Sequence, residues 1–347
     1  MNTLRLKKLQ SVIASPILIK KKENLHYLTG QIFDAKTEEY LLVTKKNAVA
    51  FGGGLDYINW FPKVDEINHI AKYLPKKSYV AVEYGFTYAE GKYLKHFFKE
   101  KGITFKPEKS PVDILRQIKD QEEIRLIGQS MQIVEKVFGE VKRLLKKKSW
   151  TEAALATFIQ KRGIDFGAEA ISFPAIVASG SNAAIPHHVP GTKKLVTGES
   201  IVIDFGFKYK GYCSDFTRTV FLKKVPEKLA QAYRQTEEAY RSSMDTACAG
   251  ISAAVPHNRA VAVLAEKKLE KYFIHTLGHG TGLEIHEGPY LYTKSKDILQ
   301  NGMVFSIEPG VYFPKVGGIR IEDLVYLEKG KVKKFITIAT ALSNNII

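Results

Sequence analysis

Two segments of this chain place acidic side chains in the middle of apolar β-strand sequence, and this pattern restricts the fold more than any bulk property does. In ESIVIDFGFKYKGYCSDFTRTVFL the strand IVIDFGF turns at residues 208–211 and returns as YCSDFTRTVF. A pairing centred on that turn sets Asp204 opposite Asp215, with both carboxylates on one face. In GMVFSIEPGVYFPKVGGIRIEDLVYL a loop centred near Lys315 sets Glu308 opposite Glu322 and Gly310 opposite Arg320. Taken singly, each acid reads better as a strand-end residue paired with Lys or Arg. Four of them in register on strands of Val, Ile and Phe are a different matter, because buried like charges are costly unless they are paired or bind metal. Two divalent cations are the natural remedy. The fifth ligand is His279, in the glycine-rich HTLGHGTGLEIHEGP, where glycine lets backbone approach the site closely. A set of Asp, Asp, His, Glu and Glu is hard and oxygen-rich, which suits Mn²⁺ or Co²⁺ and tolerates Zn²⁺ or Fe²⁺.

The chain has 347 residues, long enough for two domains. In the first part, SPILIK, EEYLLVTKKNAVAFG and KSYVAVEYG predict strands, and VDEINHIAKYL and YAEGKYLKHFFKEKG predict helices. This is an α/β pattern over 1–114. A turn signal at Lys109, Ser110 and Pro111 marks its end. Residues 115–347 open on a long segment with helical spacing and continue as mixed amphipathic helices and Val/Ile/Phe-rich strand pairs, an α+β pattern. The glycines at 52–54 lack the Lys-Ser/Thr of a phosphate-binding loop and predict a plain turn.

Several function classes are disfavoured by composition. The formal net charge is +16, but the positive charge is scattered lysine, with runs only at 20–22 and 146–148 and no arginine stripe interleaved with aromatics. That is a solvated basic surface, with no expectation of nucleic acid. No apolar run approaches the about 18–20 residues that span a bilayer, and SVIASPILI is short, broken by Pro16 and without a cleavage pattern, so neither a membrane anchor nor a signal peptide is expected. Two cysteines, Cys213 and Cys248, do not have metal-binding spacing and suit a reducing, cytoplasmic setting.

The segments IDFGFKYKGYCSDFTRT, HTLGHGTGLEIHEGP, SIEPGVY and GIRIEDL resemble the metal-binding motifs of the pita-bread (M24) metallopeptidases, which include methionine aminopeptidase, aminopeptidase P and prolidase. The resemblance covers roughly residues 120 to 347. The preceding portion, with IKDQEEIRLI, resembles the creatinase-type N-terminal domain of the aminopeptidase P and prolidase branch. The resemblance implies a pita-bread α+β catalytic domain behind a smaller α/β domain. It implies that Asp204 binds one metal, that Asp215 and Glu322 bridge both, and that His279 and Glu308 bind the second. Glu308 would also shuttle the proton of the attacking water. His187, in SGSNAAIPHHVPG, matches the Pro-His of proline-directed members and would contact substrate near the scissile bond. His286 matches a histidine that hydrogen-bonds the substrate and the tetrahedral intermediate; His188, adjacent to His187, fits the Pro-His pattern less well than His187 does. Tyr212 resembles a tyrosine behind the ligands; Arg320, Thr217 and Thr281 could orient ligands or simply pack.

The implied substrates are short peptides with proline in the second position. Prolidases commonly carry an arginine directly after HExP to grip a dipeptide's carboxylate, and here that place is Tyr290. The expected activity is therefore that of an Xaa-Pro aminopeptidase, with the Xaa-Pro dipeptidase as the alternative; methionine aminopeptidase and a non-catalytic binding module of this fold fit less well. A homodimer, with a contact around residues 57–61, is a further expectation.

Overall fold

The computed structural model describes residues 2–33, 39–51, 73–74, 77–147 and 149–347. The predicted helix VDEINHIAKYL, apart from its last two residues, the glycines at 52–54 and the stretch 57–61 lie outside them. The chain divides into two compact units, Met1–Arg116 and Gln117–Ile347.

The first unit carries strands β1 (Ile17–Ile19), β2 (Tyr40–Val43), β3 (Ala48–Phe51), β4 (Tyr79–Glu83) and β5 (Thr104–Glu108) in one sheet of order β3-β2-β1-β4-β5. The β1–β2 and β2–β3 pairs are antiparallel, and β1–β4 and β4–β5 are parallel. Helices α1 (Thr3–Val12), α2 (Lys22–Thr29), α3 (Tyr88–Glu100) and α4 (Pro111–Leu115) complete it. Leu18, Leu42, Val80, Val82, Phe98 and Ile103 form its core. Strands β1 to β4 and α3 fall where the apolar pattern predicts them, with EEYLLVTKKNAVAFG divided into β2 and β3, whereas β5, α1 and α2 have no predicted counterpart. SVIASPILI, which reads as one apolar run, ends α1 and then forms β1 on the far side of Pro16. The start of α2 shows no side-chain cap, so it has no start signal in the sequence.

The second unit begins with α5 (Gln121–Leu145), started by a capping box in which Asp120 accepts from the Glu123 amide and Glu123 accepts from the Asp120 amide. Helix α6 (Glu152–Asp165) follows, then short strand β6 (Ala170–Ile171), β7 (Ile176–Ser179), β8 (Ser200–Asp204), β9 (Phe207–Tyr209), β10 (Tyr212–Cys213) and β11 (Phe216–Phe221). Helices α7 (Glu227–Thr246) and α8 (Ala254–Ala265) precede β12 (Gly278–Gly280), β13 (Glu287–Leu291), β14 (Val304–Ile307), β15 (Gly310–Phe313), β16 (Gly317–Arg320), β17 (Glu322–Glu328) and β18 (Lys331–Lys334). The main sheet runs β13-β12-β14-β17-β11-β8-β7, with β18 beside β17. Phe305, Ile307, Val311, Ile319, Ile321 and Val325 pack with α7 and α8 in its core. Among the described residues no helix is long and apolar enough to cross a membrane.

Candidate metal centre

The five predicted ligands sit where main-sheet strands end or are interrupted. Asp204 closes β8, Asp215 precedes β11, Glu322 opens β17, Glu308 follows β14, and His279 is the middle residue of β12. Breaks in the ladder let side chains turn into a cavity while the strands on either side stay paired.

The first hairpin differs from the expected register. Asp204 pairs with Thr217, and Tyr209 with Tyr212, so the turn is made by Lys210 and Gly211 alone, both at positive φ (48° and 81°). That is the two-residue hairpin geometry whose twist matches the flanking strands, and it moves the pairing two residues along from one centred on residues 208–211. Asp204 is therefore not opposite Asp215. An even slip leaves every side chain on its own face, so the two acids lie diagonally on one face. In the second hairpin Gly310 pairs with Arg320 as predicted, and Ile307 with Asp323 on the other side of the break, a register that brackets Glu308 and Glu322.

The acids converge: ligand oxygens of Asp204, Asp215 and Glu322 lie within 4.8 Å of one another. The Nε2 of His279 is 3.5 Å from Asp215 Oδ2 and 3.4 Å from Glu308 Oε1. Close backbone packing brings His279 there, since a Cβ on Gly278 would stand 2.0 Å from the Ser306 carbonyl oxygen. The His279 Nδ1 is 3.1 Å from the Gly280 carbonyl oxygen, which can only accept, so Nδ1 carries the proton. Burial, and then His286, lowers the His279 pKa to about 3, so the ring is neutral and turns a bare Nε2 lone pair toward two carboxylates. Lone pairs facing lone pairs fit a cation between them.

The carboxylates carry the same signal. Burial raises Asp204 despite the Arg320 charge beside it. Burial, then the charges of Glu322, Asp204 and Glu308, raises Asp215 well above its ordinary value; burial, then Glu308 and Asp204, does so for Glu322. Glu308 rises to about 7, mainly through burial. Asp204 Oδ1 is buried and has no hydrogen-bond partner among the described residues, the kind of orphan that a metal satisfies. The donor set fits divalent metal.

Around the ligands, Arg320 donates to Asp204 Oδ2 at 2.5 Å, to Tyr312 OH at 2.8 Å and to Thr217 Oγ1 at 3.2 Å. Thr217 donates to Glu322 Oε2 at 2.6 Å. Thr281 Oγ1 lies 3.5 Å from His279 Nδ1 and donates to the Ile285 carbonyl at 3.1 Å. Tyr212, expected near the ligands, instead reaches Glu123 on α5 at 3.0 Å. The His286 ring meets the His279 ring edge-on, centroids 4.3 Å apart. Both His187 and His286 line a cavity of about 590 Å³ that also holds the five ligands, with Phe173, Ile176, Pro190 and Tyr290 among its walls.

Three residues at this site escaped the sequence reading. Ser306 donates to Glu308 Oε1 at 2.9 Å and accepts from the His279 amide; it lies two residues before Glu308, and strand alternation could have found it. His275 bonds Tyr312 OH at 2.9 Å; they are the first residue of HTLGHGTGLEIHEGP and the last of SIEPGVY, and the motifs alone give neither a role.

The comparisons with known proteins agree with this geometry. Residues 125–329 match the model of metallopeptidase family M24. The chain is 32% identical to the Xaa-Pro dipeptidase of Pyrococcus horikoshii over 92% of this chain and 91% of that one. It is 33% identical to a putative Xaa-Pro aminopeptidase of Mycoplasma pneumoniae, over 94% and 93%. The crystal structure of the prolidase from Pyrococcus horikoshii OT3 superposes with a TM-score of 0.88 at 30% identity, covering 98% of this chain and 100% of that one. The catalytic unit thus has the α+β pita-bread fold and is preceded along the chain by a smaller α/β unit. The buried acids, the histidine aimed at them and the matched family model lead to one conclusion: the chain belongs to metallopeptidase family M24 and is a metallopeptidase that works with divalent metal ions.

Proposed function

We propose that this chain is an Xaa-Pro aminopeptidase, removing an N-terminal residue that precedes proline from short peptides. The observation that carries the hydrolytic reading is the convergence of Asp204, Asp215 and Glu322 within 4.8 Å, with His279 and Glu308 against them. Asp204, Asp215, His279, Glu308 and Glu322 would hold two divalent ions, Mn²⁺ or Co²⁺ by donor hardness, with Zn²⁺ or Fe²⁺ tolerated. When bound, such ions lower the pKa of a water and stabilise charge on the attacking and departing atoms. Glu308 holds and passes the water's proton to the leaving nitrogen. His286 and His187 donate hydrogen bonds to the substrate around the scissile carbonyl, where preorganised donors act most strongly. Arg320 and Thr217 fix Asp204 and Glu322, and Thr281 steadies the His279 segment.

Proline selectivity is supported by the relatives' names and by the Pro-His pair at Pro186 and His187 on the cavity wall. A second reading, Xaa-Pro dipeptidase, is favoured by the names of the archaeal relatives. Tyr290, 43% exposed at the cavity, weighs against it, because a phenol offers no cation for a dipeptide's carboxylate. The test is hydrolysis of Arg-Pro-Pro beside Gly-Pro with Mn²⁺ restored after chelation. Cleavage of the tripeptide with little of the dipeptide supports the aminopeptidase; dipeptide cleavage alone makes the chain a dipeptidase, and cleavage of neither refutes both readings.

A further inference from the structure

Glu152 has a fully buried side chain, yet its carboxylate stands at the centre of a ring of donors drawn from the segment that carries His187. Oε1 accepts from the Ser179 amide at 2.8 Å, from Ser179 Oγ at 3.1 Å and from Asn182 Nδ2 at 3.0 Å. Oε2 meets His188 Nε2 at 2.9 Å, Asn182 Nδ2 at 3.1 Å and the Gly191 amide at 3.2 Å. These donors come from the start, the middle and the end of the loop 179–191. The backbone at the same place adds two bonds, from the Glu152 amide to the Lys193 carbonyl at 3.0 Å and from the Ala153 amide to the Gly191 carbonyl at 2.9 Å.

The loop so tied forms one wall of the catalytic cavity through Pro186, His187, His188, Val189 and Pro190. Connecting segments of this kind have few backbone bonds of their own, and a conformation with many alternatives is fixed only by what its polar groups are offered. Glu152 offers two oxygens to five donor groups. Burial works against its charge, but the bonds from His188, Ser179, Asn182 and Gly191 outweigh it and hold the carboxyl below its ordinary range. The two adjacent histidines are thereby separated in role: the His188 ring is anchored on Glu152, while His187 is carried past it on the exposed side of the same loop.

We infer that Glu152 is a positioning residue of this enzyme, which through His188, Asn182 and both ends of the loop sets His187 and the cavity wall where the substrate binds. As a statement about catalysis this rests on the Xaa-Pro reading given above; as a statement about the loop it does not. The test is Glu152→Gln, which keeps shape but turns one acceptor into a donor facing donors. With metal content equal to wild type, the KM for Arg-Pro-Pro is expected to rise roughly 10- to 100-fold, the scale of a misplaced catalytic wall, and amide hydrogen exchange over 179–191 to quicken while α5 and α7 stay protected. A merely structural role would lower the melting temperature and the active fraction, which reduces kcat and leaves KM unchanged; a folded variant with unchanged KM and unchanged exchange overturns the inference. Should Glu152→Gln not fold, Asn182→Leu, which removes the donor shared by both Glu152 oxygens at a position outside the cavity lining, is expected to raise KM and to quicken exchange over 179–191, and a folded Asn182→Leu with wild-type KM and exchange overturns the inference. A wild-type protein that cleaves no Xaa-Pro peptide refutes the substrate reading, and the exchange measurement then decides this one alone.

Discussion

Glu322 and Asp323 are neighbours on β17, equally buried, and point to opposite faces of one sheet. Asp323 is met by cations and a hydroxyl: Arg218 Nη2 at 2.6 Å, Lys334 Nζ at 2.8 Å and the Tyr240 hydroxyl. Glu322 is met by a threonine hydroxyl and by other acids. On the first face one carboxylate has two positive partners; on the second, four carboxylates share the Arg320 guanidinium. The same chemical group at the same depth thus serves two purposes, and its company tells them apart. An acid surrounded by donors holds the fold together. Acids surrounded by acids destabilise the metal-free fold and make sense only with cations between them.

The largest expected effect is on the acid-rich face. Glu322→Gln or Asp215→Asn abolishes peptide hydrolysis, yet raises the melting temperature of the metal-free protein because a like charge is removed; loss of thermal stability in the chelated variants would break the comparison. On the other face, Asp323→Ala leaves Arg218 buried without its carboxylate and is expected to cost about 3–5 kcal/mol, read by urea unfolding. A cost no greater than that of an exposed pair, below about 1 kcal/mol, would show that the face is not held by Asp323. Thr217→Val, which removes the donor to Glu322, is expected to weaken Mn²⁺ binding or activity by about 10- to 100-fold, measured by calorimetry.

The smallest effect is a slope with pH. Burial raises Glu308 to about 7, above the unfolded value of about 4.3, so the metal-free native state holds a proton there that the unfolded chain does not. Its contribution to stability is full below about pH 4 and fades as pH rises to about 7. Metal-free wild type is therefore expected to lose stability relative to metal-free Glu308→Gln across that window, and parallel melting curves would contradict the shift.

The acid-rich face was legible in the sequence because its oddity is local: Asp204, Asp215, Glu308 and Glu322 interrupt runs of Val, Ile and Phe, and strand alternation puts the members of each hairpin together. Register was less legible, since placing Asp204 required knowing that Lys210 would accept a positive φ and leave a two-residue turn. The error did little harm to the site, because a slip of two preserves the face. Glu152 was illegible for the opposite reason. In sequence it is an ordinary acid in the first turn of α6, and everything that gives it a role arrives from residues 27 to 39 positions away. Tyr212 shows the same limit, its partner Glu123 lying 89 residues distant.

The central claim is that the acid-rich face is a two-metal centre that performs the hydrolysis. The direct test is to strip the protein with chelator, titrate Mn²⁺ back and follow Arg-Pro-Pro cleavage against bound metal. The account predicts no cleavage in the stripped protein and a rise that saturates at two ions per chain; cleavage that survives stripping, or full activity in a chain that binds no Mn²⁺, would contradict it.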